Sequence, residues 1–117
     1  MGIRQTIEQL ISILGDTVEK SSTSATLTAA DIEHGVVVST AADASAFTLP
    51  VTGISKGQFC LVARQAAAND LDVAPVSGTF GGGTSKATQD VSPGQIAFFW
   101  FDGTYWYANG HEIIAAS

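Results

Sequence analysis

The sequence predicts an all-β protein, an antiparallel β-sandwich of jelly-roll-like type with a short N-terminal α-helix. Short apolar and β-branched runs recur between turn residues about every eleven residues, which is typical of a sandwich or a barrel. Only 14% of the 117 residues are charged and 12 are Gly. An aromatic run at 96–109 is interrupted by Asp102-Gly103, and Asp-Gly between apolar runs is the strongest short-range signal for a hairpin. This length fits one folded domain.

The first element is a predicted helix at residues 3–14. Gly15 is a natural end for it, because glycine readily adopts the left-handed conformation that follows a helix. A helix of about twelve residues is only marginally stable alone in water. It therefore has to dock on its own β domain, on the same helix in other subunits, or on a foreign surface. Its apolar stripe, at heptad-like spacing, consists of Ile3, Ile7, Leu10, Ile11 and Leu14.

The rest of the chain divides into a linker and a β domain. We assign residues 1–20 to a helical arm, the polar residues 21–24 to the linker, and residues 25–117 to the sandwich. A turn or a single helical turn is expected at 29–35. The predicted strands are 25–28, 36–40, 46–49, 58–65, 71–76, a short one near 88–91, 96–101, 104–109 and 112–115.

The predicted hairpin has two apolar faces, although an antiparallel pair usually exposes one side to water. A two-residue type I′ turn would pair Phe101 with Thr104 and Trp100 with Tyr105. Side chains alternate along each strand. We expect the face with Ala97, Phe99, Trp106 and Ala108 to point inward. The other face carries Phe98, Trp100, Tyr105 and Tyr107.

Four outward aromatic rings are more apolar surface than a monomer usually exposes. We therefore predict that Phe98, Trp100, Tyr105 and Tyr107 form a subunit interface. The alternative is that loops or the N-terminal helix of the same chain cover them.

The charge distribution excludes some partners. The net charge is −6, and five basic residues are scattered along the chain. Nucleic-acid binding needs a basic patch that neutralises phosphates, and an anionic membrane is disfavoured for the same reason. Neither a signal peptide nor a transmembrane run is visible. We expect synthesis in a cytosol without export.

No catalytic, cofactor or metal site is predicted. The Gly81–Gly83 run precedes Thr-Ser-Lys rather than the Gly-Lys-Ser/Thr order of a phosphate-binding loop. Asp70 and Asp72 offer too few oxygens for Ca²⁺. Cys60 lies in an apolar run and is expected to be a small buried hydrophobe.

The histidines give no metal signal either. His34 and His111 lack the spacing of zinc ligands. A Ser–His–Asp triad is defined by geometry and not by sequence position, so the sequence does not exclude one. Sugar binding by outward aromatic residues also stays open.

An ordered set of short motifs resembles a known family. Phe47-Thr48-Leu49-Pro50 is followed by Gly57-x-Phe59-x-Leu61-Val62 and Leu71-x-Val73-x-Pro75-x-x-Gly78. The glycine run and Ser92-Pro93-Gly94-Gln95 come next, and Phe101-Asp102-Gly103-Thr104-x-Trp106 and Gly110 complete the set. The set covers a little over half of the chain. It resembles a β-sandwich module of tailed-bacteriophage virion proteins, found in capsid decoration (cement) proteins, head fibres and tail fibres.

The resemblance implies a structural virion protein without enzymatic activity. It implies a homotrimer on the virion surface, bound to the outside of the capsid through the major capsid protein and made in the cytoplasm of a bacterial host. It also implies that Trp106 packs inward. The arm at the very start of the chain favours a free-standing decoration protein. The alternative is a phage fibre or a receptor- or glycan-binding adhesion protein.

Overall fold

A computed structural model describes residues 17–66, 68–82 and 86–108. The predicted helix at 3–14 and the predicted strand at 112–115 lie outside these residues, as does the whole apolar stripe of the arm. The described part is mostly β, with one short helix, α1 (Ala29–Glu33). The strands are β1 Thr17–Lys20, β2 Ser24–Thr26, β3 Val36–Ser39, β4 Ser45–Leu49, β5 Phe59–Arg64, β6 Leu71–Pro75, β7 Gln89–Val91, β8 Ile96–Phe101 and β9 Trp106–Ala108.

The strands form two open sheets of mixed direction. Sheet A has the order β1-β3-β5-β8-β9 and sheet B the order β2-β4-β6-β7. From β1 to β6 the chain alternates between the sheets, so that neighbours within each sheet run parallel. The prediction of antiparallel pairing was wrong for these four pairs. It is confirmed for β5–β8, β6–β7 and β8–β9.

Alternating side chains of both sheets build one shared hydrophobic core. Sheet A contributes residues such as Val62 and Phe99, and sheet B contributes residues such as Phe47 and Val73. Trp106 is fully buried in this core, and its indole Nε1–H donates a 2.7 Å hydrogen bond to the carbonyl of Pro50. A buried Trp needs such a partner for its polar end.

The first strand begins inside the segment that we assigned to the arm. Thr17–Lys20 pairs with β3, so the boundary at residue 20 was placed too late, and β2 already begins at Ser24. Lys20 Nζ lies 3.2 Å from Asp31 Oδ2, which connects this edge strand to α1. The sequence could not reveal β1. Its four residues alternate between exposed and half-buried positions, and so short a stretch also fits a continuation of the predicted helix.

The α1 helix confirms the expected helical turn at 29–35. Thr28 caps it: its Oγ1 accepts from the Asp31 N–H at 3.2 Å, and Asp31 Oδ2 accepts from the Thr28 N–H at 3.0 Å. Burial alone would raise the pKa of Asp31, but the bonds with Thr28 and the charge of Lys20 outweigh burial and lower it. The cap and the ion pair with Lys20 therefore favour the same charged state.

The aromatic hairpin forms, but with a different turn. Phe101 pairs with Trp106 and Trp100 with Tyr107, so residues 102–105 form a four-residue loop and the predicted two-residue type I′ turn was wrong. Gly103 has φ +104°, whereas Asp102 has no positive φ. The register moves by two residues, and a shift of two leaves every side chain on its predicted face.

Candidate functional site

The outward face of sheet A carries a connected row of aromatic rings. Phe59 lies opposite Trp100 across β5 and β8, and Trp100 lies opposite Tyr107 across β8 and β9. The ring centroids of Trp100 and Tyr107 are 5.6 Å apart, and those of Phe59 and Phe98 are 5.5 Å apart, both in tilted contacts. These distances are favourable for aromatic pairs. We call Phe59, Phe98, Trp100 and Tyr107 the aromatic row.

The aromatic row is partly exposed to solvent. Phe98 is 41% exposed and its neighbour Ile96 is 39% exposed, while Phe59, Trp100 and Tyr107 are half-buried. The inward residues of β8 and β9 behave as predicted: Ala97, Phe99, Trp106 and Ala108 are all buried. The hairpin therefore divides its side chains into one core face and one wet aromatic face.

Tyr105 differs from the other three predicted interface residues. It lies in the loop before β9 rather than in a strand, and its ring lies against Gly82, where an added Cβ would collide with it. The N–H of Gly81 donates to the carbonyl of Trp106 at 2.9 Å. Tyr105 is still 36% exposed, so it extends the aromatic row while also packing on its own chain.

Asp102 organises the loop beside the row. Its Oδ1 accepts hydrogen bonds from the N–H groups of Thr104 at 2.7 Å and Tyr105 at 2.6 Å. Its Oδ2 accepts from the Tyr107 hydroxyl at 2.9 Å. Burial alone would raise the pKa of Asp102, but these bonds and the charge of Lys56 lower it. Burial and the bond to Asp102 raise the pKa of Tyr107.

An outward position for Phe59 and the loop-organising role of Asp102 were not predicted from the sequence. Phe59 starts a strand whose next residues, Cys60 and Val62, point inward, so alternation along β5 could have placed it outward. That Phe59 lies next to Trp100 could not be found without the β5–β8 pairing. Asp102 was treated only as a turn residue, whereas the four-residue loop makes its carboxylate an acceptor for three donors.

Cys60 and Arg64 are both buried. Cys60 is fully buried, and burial raises the pKa of its thiol to about 12, so it is a small hydrophobe as expected. Arg64 is only 1% exposed. Its guanidinium donates to the hydroxyls of Ser39 and Ser45 and to the carbonyls of Asp43, Ala68 and Asn69. These bonds tie two loops to the ends of β3, β4 and β5.

The two aspartates of β6 and its flank do not assemble a metal site. Asp72 faces Asp90 across β6 and β7, and its pKa is raised first by a hydrogen bond with the Asp90 side chain, then by burial and by the charges of Asp90 and Asp70. Within the described ranges, no group of three or more His, Cys, Asp or Glu could hold a metal ion. His34 is exposed, and His111 lies outside those ranges.

Two further findings bear on function. In the part of the chain that the structure describes, no helix is long and apolar enough to cross a membrane. The sequence matches no protein-family model, no curated protein and no solved structure. Function therefore has to be inferred from the residues themselves and from the motif resemblance.

Proposed function

We propose that this chain is a structural virion protein, a decoration (cement) protein that binds the outside of a bacteriophage capsid as a homotrimer. The aromatic row supports the proposal most strongly, because it is a partly exposed apolar surface on the outward face of sheet A. Trp and Tyr are enriched where protein surfaces associate. The ordered motifs that resemble the phage sandwich module supply the choice of particle.

In this proposal Phe98, Trp100, Tyr105 and Tyr107, joined by Phe59, form the contact between subunits. A closed ring of identical subunits uses the same patch in every copy. Pairing the rows would remove the exposed parts of Phe98 and Ile96 from water, which stabilises association by about 25 cal/mol for each Å² of apolar surface. The Asp102 carboxylate stays at the rim, where polar groups are tolerated.

The arm is the proposed second contact. Its stripe of Ile3, Ile7, Leu10, Ile11 and Leu14 would bind the major capsid protein or tie subunits together on the particle. The mechanical role follows from this arrangement. A trimer that buries apolar surface across the junction between capsomers resists their separation by the pressure of the packaged DNA, without any chemical step.

The alternative is a fibre or adhesion protein that binds glycans. One geometric feature favours it. Trp100 contacts Tyr107, and the Tyr107 hydroxyl donates a hydrogen bond to the Asp102 carboxylate, so an aromatic surface and a polar acceptor are adjacent. Sugar binding uses both kinds of group. The two proposals differ in their readouts, because an adhesion protein binds saccharides at the row, whereas a decoration protein covers the row with another subunit.

Imaging of an intact particle that carries this chain tests the proposed function. We expect density for trimers of the β domain on the outer capsid surface, with the aromatic row turned toward the threefold axis. Density at the tail or on fibres would contradict the decoration role and favour the adhesion alternative. A glycan-binding screen with wild type and Trp100→Ala separates the alternatives independently.

A further inference from the structure

The aromatic row is too small to be a complete subunit interface. Phe98 is its most exposed ring, with 41% of its surface in water, and an aromatic side chain buries about 150–250 Å² when it is fully covered. The four rings of the row and Tyr105, none more exposed than Phe98, therefore offer at most about 500 Å² together. A stable interface covers about 800 Å² on each partner. A contact between subunits through the row has to extend beyond it.

Two sides of the row are polar. At the Tyr107 end, the Asp102 carboxylate accepts hydrogen bonds within the loop of residues 102–105, and the charge of Lys56 acts on that carboxylate. At the far edge of the sheet, β1 presents Glu19, which is exposed. Charged groups are typical of the rim of an interface and are depleted at its centre. An apolar contact therefore does not extend in either of these directions.

The apolar surface continues from the row at the first residue of β8. Ile96 lies two residues before Phe98 on the same face of the strand, and 39% of it is exposed. It pairs with Ala63 of β5, and an open cleft of about 540 Å³ lies beside this pair. The wall of the cleft includes Ala63, Gln65, Ala66, Gly94, Gln95 and Ile96.

The cleft can be covered without burying an unpaired charge. The charged residue in its wall is Arg64, which is only 1% exposed and whose guanidinium already donates to hydroxyls and carbonyls of its own chain. A Cβ on Gly94 would meet nothing within 4 Å, so the turn at this position leaves space above it. Removing the side chains of Ile96 and Ala63 from water is favourable, since no charge has to be desolvated with them.

The charges of the chain favour a second copy on this face of the molecule. The net charge is −6, so two copies repel each other where their carboxylates meet. The outward face of sheet B carries Asp72 and Asp90 directly opposite each other, and the charge of Asp70 acts on the same site. Among the described residues that form the wall of the cleft, none is a carboxylate. Two copies can therefore meet at the cleft without this repulsion.

We propose that a second copy of this chain covers the cleft beside Ile96 and Ala63 together with the aromatic row, as one continuous interface. This inference rests on the proposed function, because it takes the row to be the contact between subunits. It extends that contact along β5 and β8 to the turn at residues 92–95, where the outward face is apolar and open.

NOE spectra of a mixed sample test the cleft contact directly. Full-length chains with labelled Ile, Ala and Val methyl groups in a deuterated background are mixed in urea with unlabelled chains and refolded. We expect NOEs from the methyl groups of Ile96 and Ala63 to protons of the unlabelled chains. Ile32, which lies in the core, and Val76, which is 53% exposed elsewhere, are the controls and should show none. Assembled protein without NOEs from Ile96 and Ala63 would overturn the proposal.

Ile96→Glu tests the same contact by affinity, because it places a carboxylate in the covered surface. We expect the dissociation constant, measured by sedimentation of a dilution series, to rise at least about tenfold. Val76→Glu adds the same charge at an exposed apolar residue outside the cleft and should leave the constant nearly unchanged. An unchanged Ile32 methyl shift shows that the core of Ile96→Glu is folded. Equal dissociation constants for the two variants would overturn the proposal.

The oligomeric mass of the same samples separates this inference from the proposed function. Trimers whose Ile96 and Ala63 methyl groups show no intermolecular NOE would refute the covered cleft and leave the aromatic row as the subunit contact. A wild-type chain that is monomeric at every concentration would contradict both the row contact and the cleft contact.

Discussion

Trp100 and Tyr107 face each other across the last two strands of sheet A with their ring centroids 5.6 Å apart. This pair exists because β8 and β9 are joined by a four-residue loop, which brings position 107 rather than 105 opposite Trp100. The loop is held by the Asp102 carboxylate, and the same carboxylate accepts a hydrogen bond from the Tyr107 hydroxyl. Asp102 therefore supports the end of the aromatic row at which Tyr107 lies.

Replacing Asp102 by Ala is expected to destabilise the fold by about 1–2 kcal/mol at neutral pH, because three hydrogen bonds to a carboxylate are lost at a partly exposed loop. The pKa of Asp102 is lowered in the folded state, so its contribution is present above the unfolded value of about 3.9 and is lost as pH falls through the folded pKa. Urea unfolding of wild type and variant should therefore converge on acidification. A constant difference across the acidic range would contradict this role. Asp102→Asn, which keeps an acceptor oxygen, is the matched control.

Gly82→Ala is expected to cost more stability than Gly78→Ala. Both glycines have positive φ, at +66° and +99°, but only at Gly82 would a Cβ collide with the Tyr105 ring. The backbone strain alone is about 1 kcal/mol, and the collision adds to it. Thermal unfolding of the two variants measures the difference. In a Tyr105→Ala background the two substitutions should cost the same, and a persisting difference would show that Tyr105 is not the obstacle.

Asp90→Asn is expected to stabilise the β6–β7 pair by a few tenths of a kcal/mol at neutral pH, because Asp72 and Asp90 are directly opposite and their like charges repel. The pKa of Asp72 is raised in the folded state. The favourable contribution of its protonated form is therefore complete below about pH 3.9 and is lost as pH rises through the raised value. The variant should show a flatter stability profile over that interval in urea titrations. Glu19→Gln, with the same change in charge on another strand, is the control, and equal profiles for both variants would refute the pairing.

Arg64→Lys is expected to lower the free energy of unfolding by about 2 kcal/mol or more, because an ammonium group cannot donate to five oxygens arranged for a planar guanidinium. Ser39→Ala removes only the 2.7 Å bond and should cost less. Guanidinium chloride midpoints rank the two variants. Amide exchange in residues 40–44 should accelerate in Arg64→Lys, and unaltered exchange there would contradict the loop-tying role.

Apart from β1, the approximate strand positions could be predicted from the sequence. The two faces of the aromatic hairpin could be predicted as well, because alternation survives a register shift of two residues. Ala97 and Phe99 were placed inward, and both are buried. Burial was harder to predict in the loop at residues 78–94. Phe80 was not expected in the core, yet it is fully buried and stacks on Phe99 at 5.9 Å, because no periodicity surrounds a single aromatic in a glycine-rich loop.

The direction of the strands could not be predicted for a related reason. Local turn signals identify hairpins, such as β8–β9, but parallel neighbours such as β3 and β5 are separated by a strand of the other sheet. The residues of β3 do not indicate that its neighbour in the sheet is β5 rather than β4. The same holds for the aromatic row. Phe98, Trp100 and Tyr107 could be predicted from alternation alone, whereas Phe59 belongs to the row only because β5 pairs with β8.

The mass of the protein in solution, measured by light scattering for wild type and Trp100→Asp, tests the central claim most directly. We expect wild type at three times the chain mass and Trp100→Asp at the chain mass or misassembled, since a charge in the middle of the row opposes its burial. Val76→Asp is the matched control, because Val76 is an apolar residue that is 53% exposed outside the row, and it should remain trimeric. A wild-type monomer, or a Trp100→Asp trimer indistinguishable from wild type, would contradict the assignment of the aromatic row as the subunit interface.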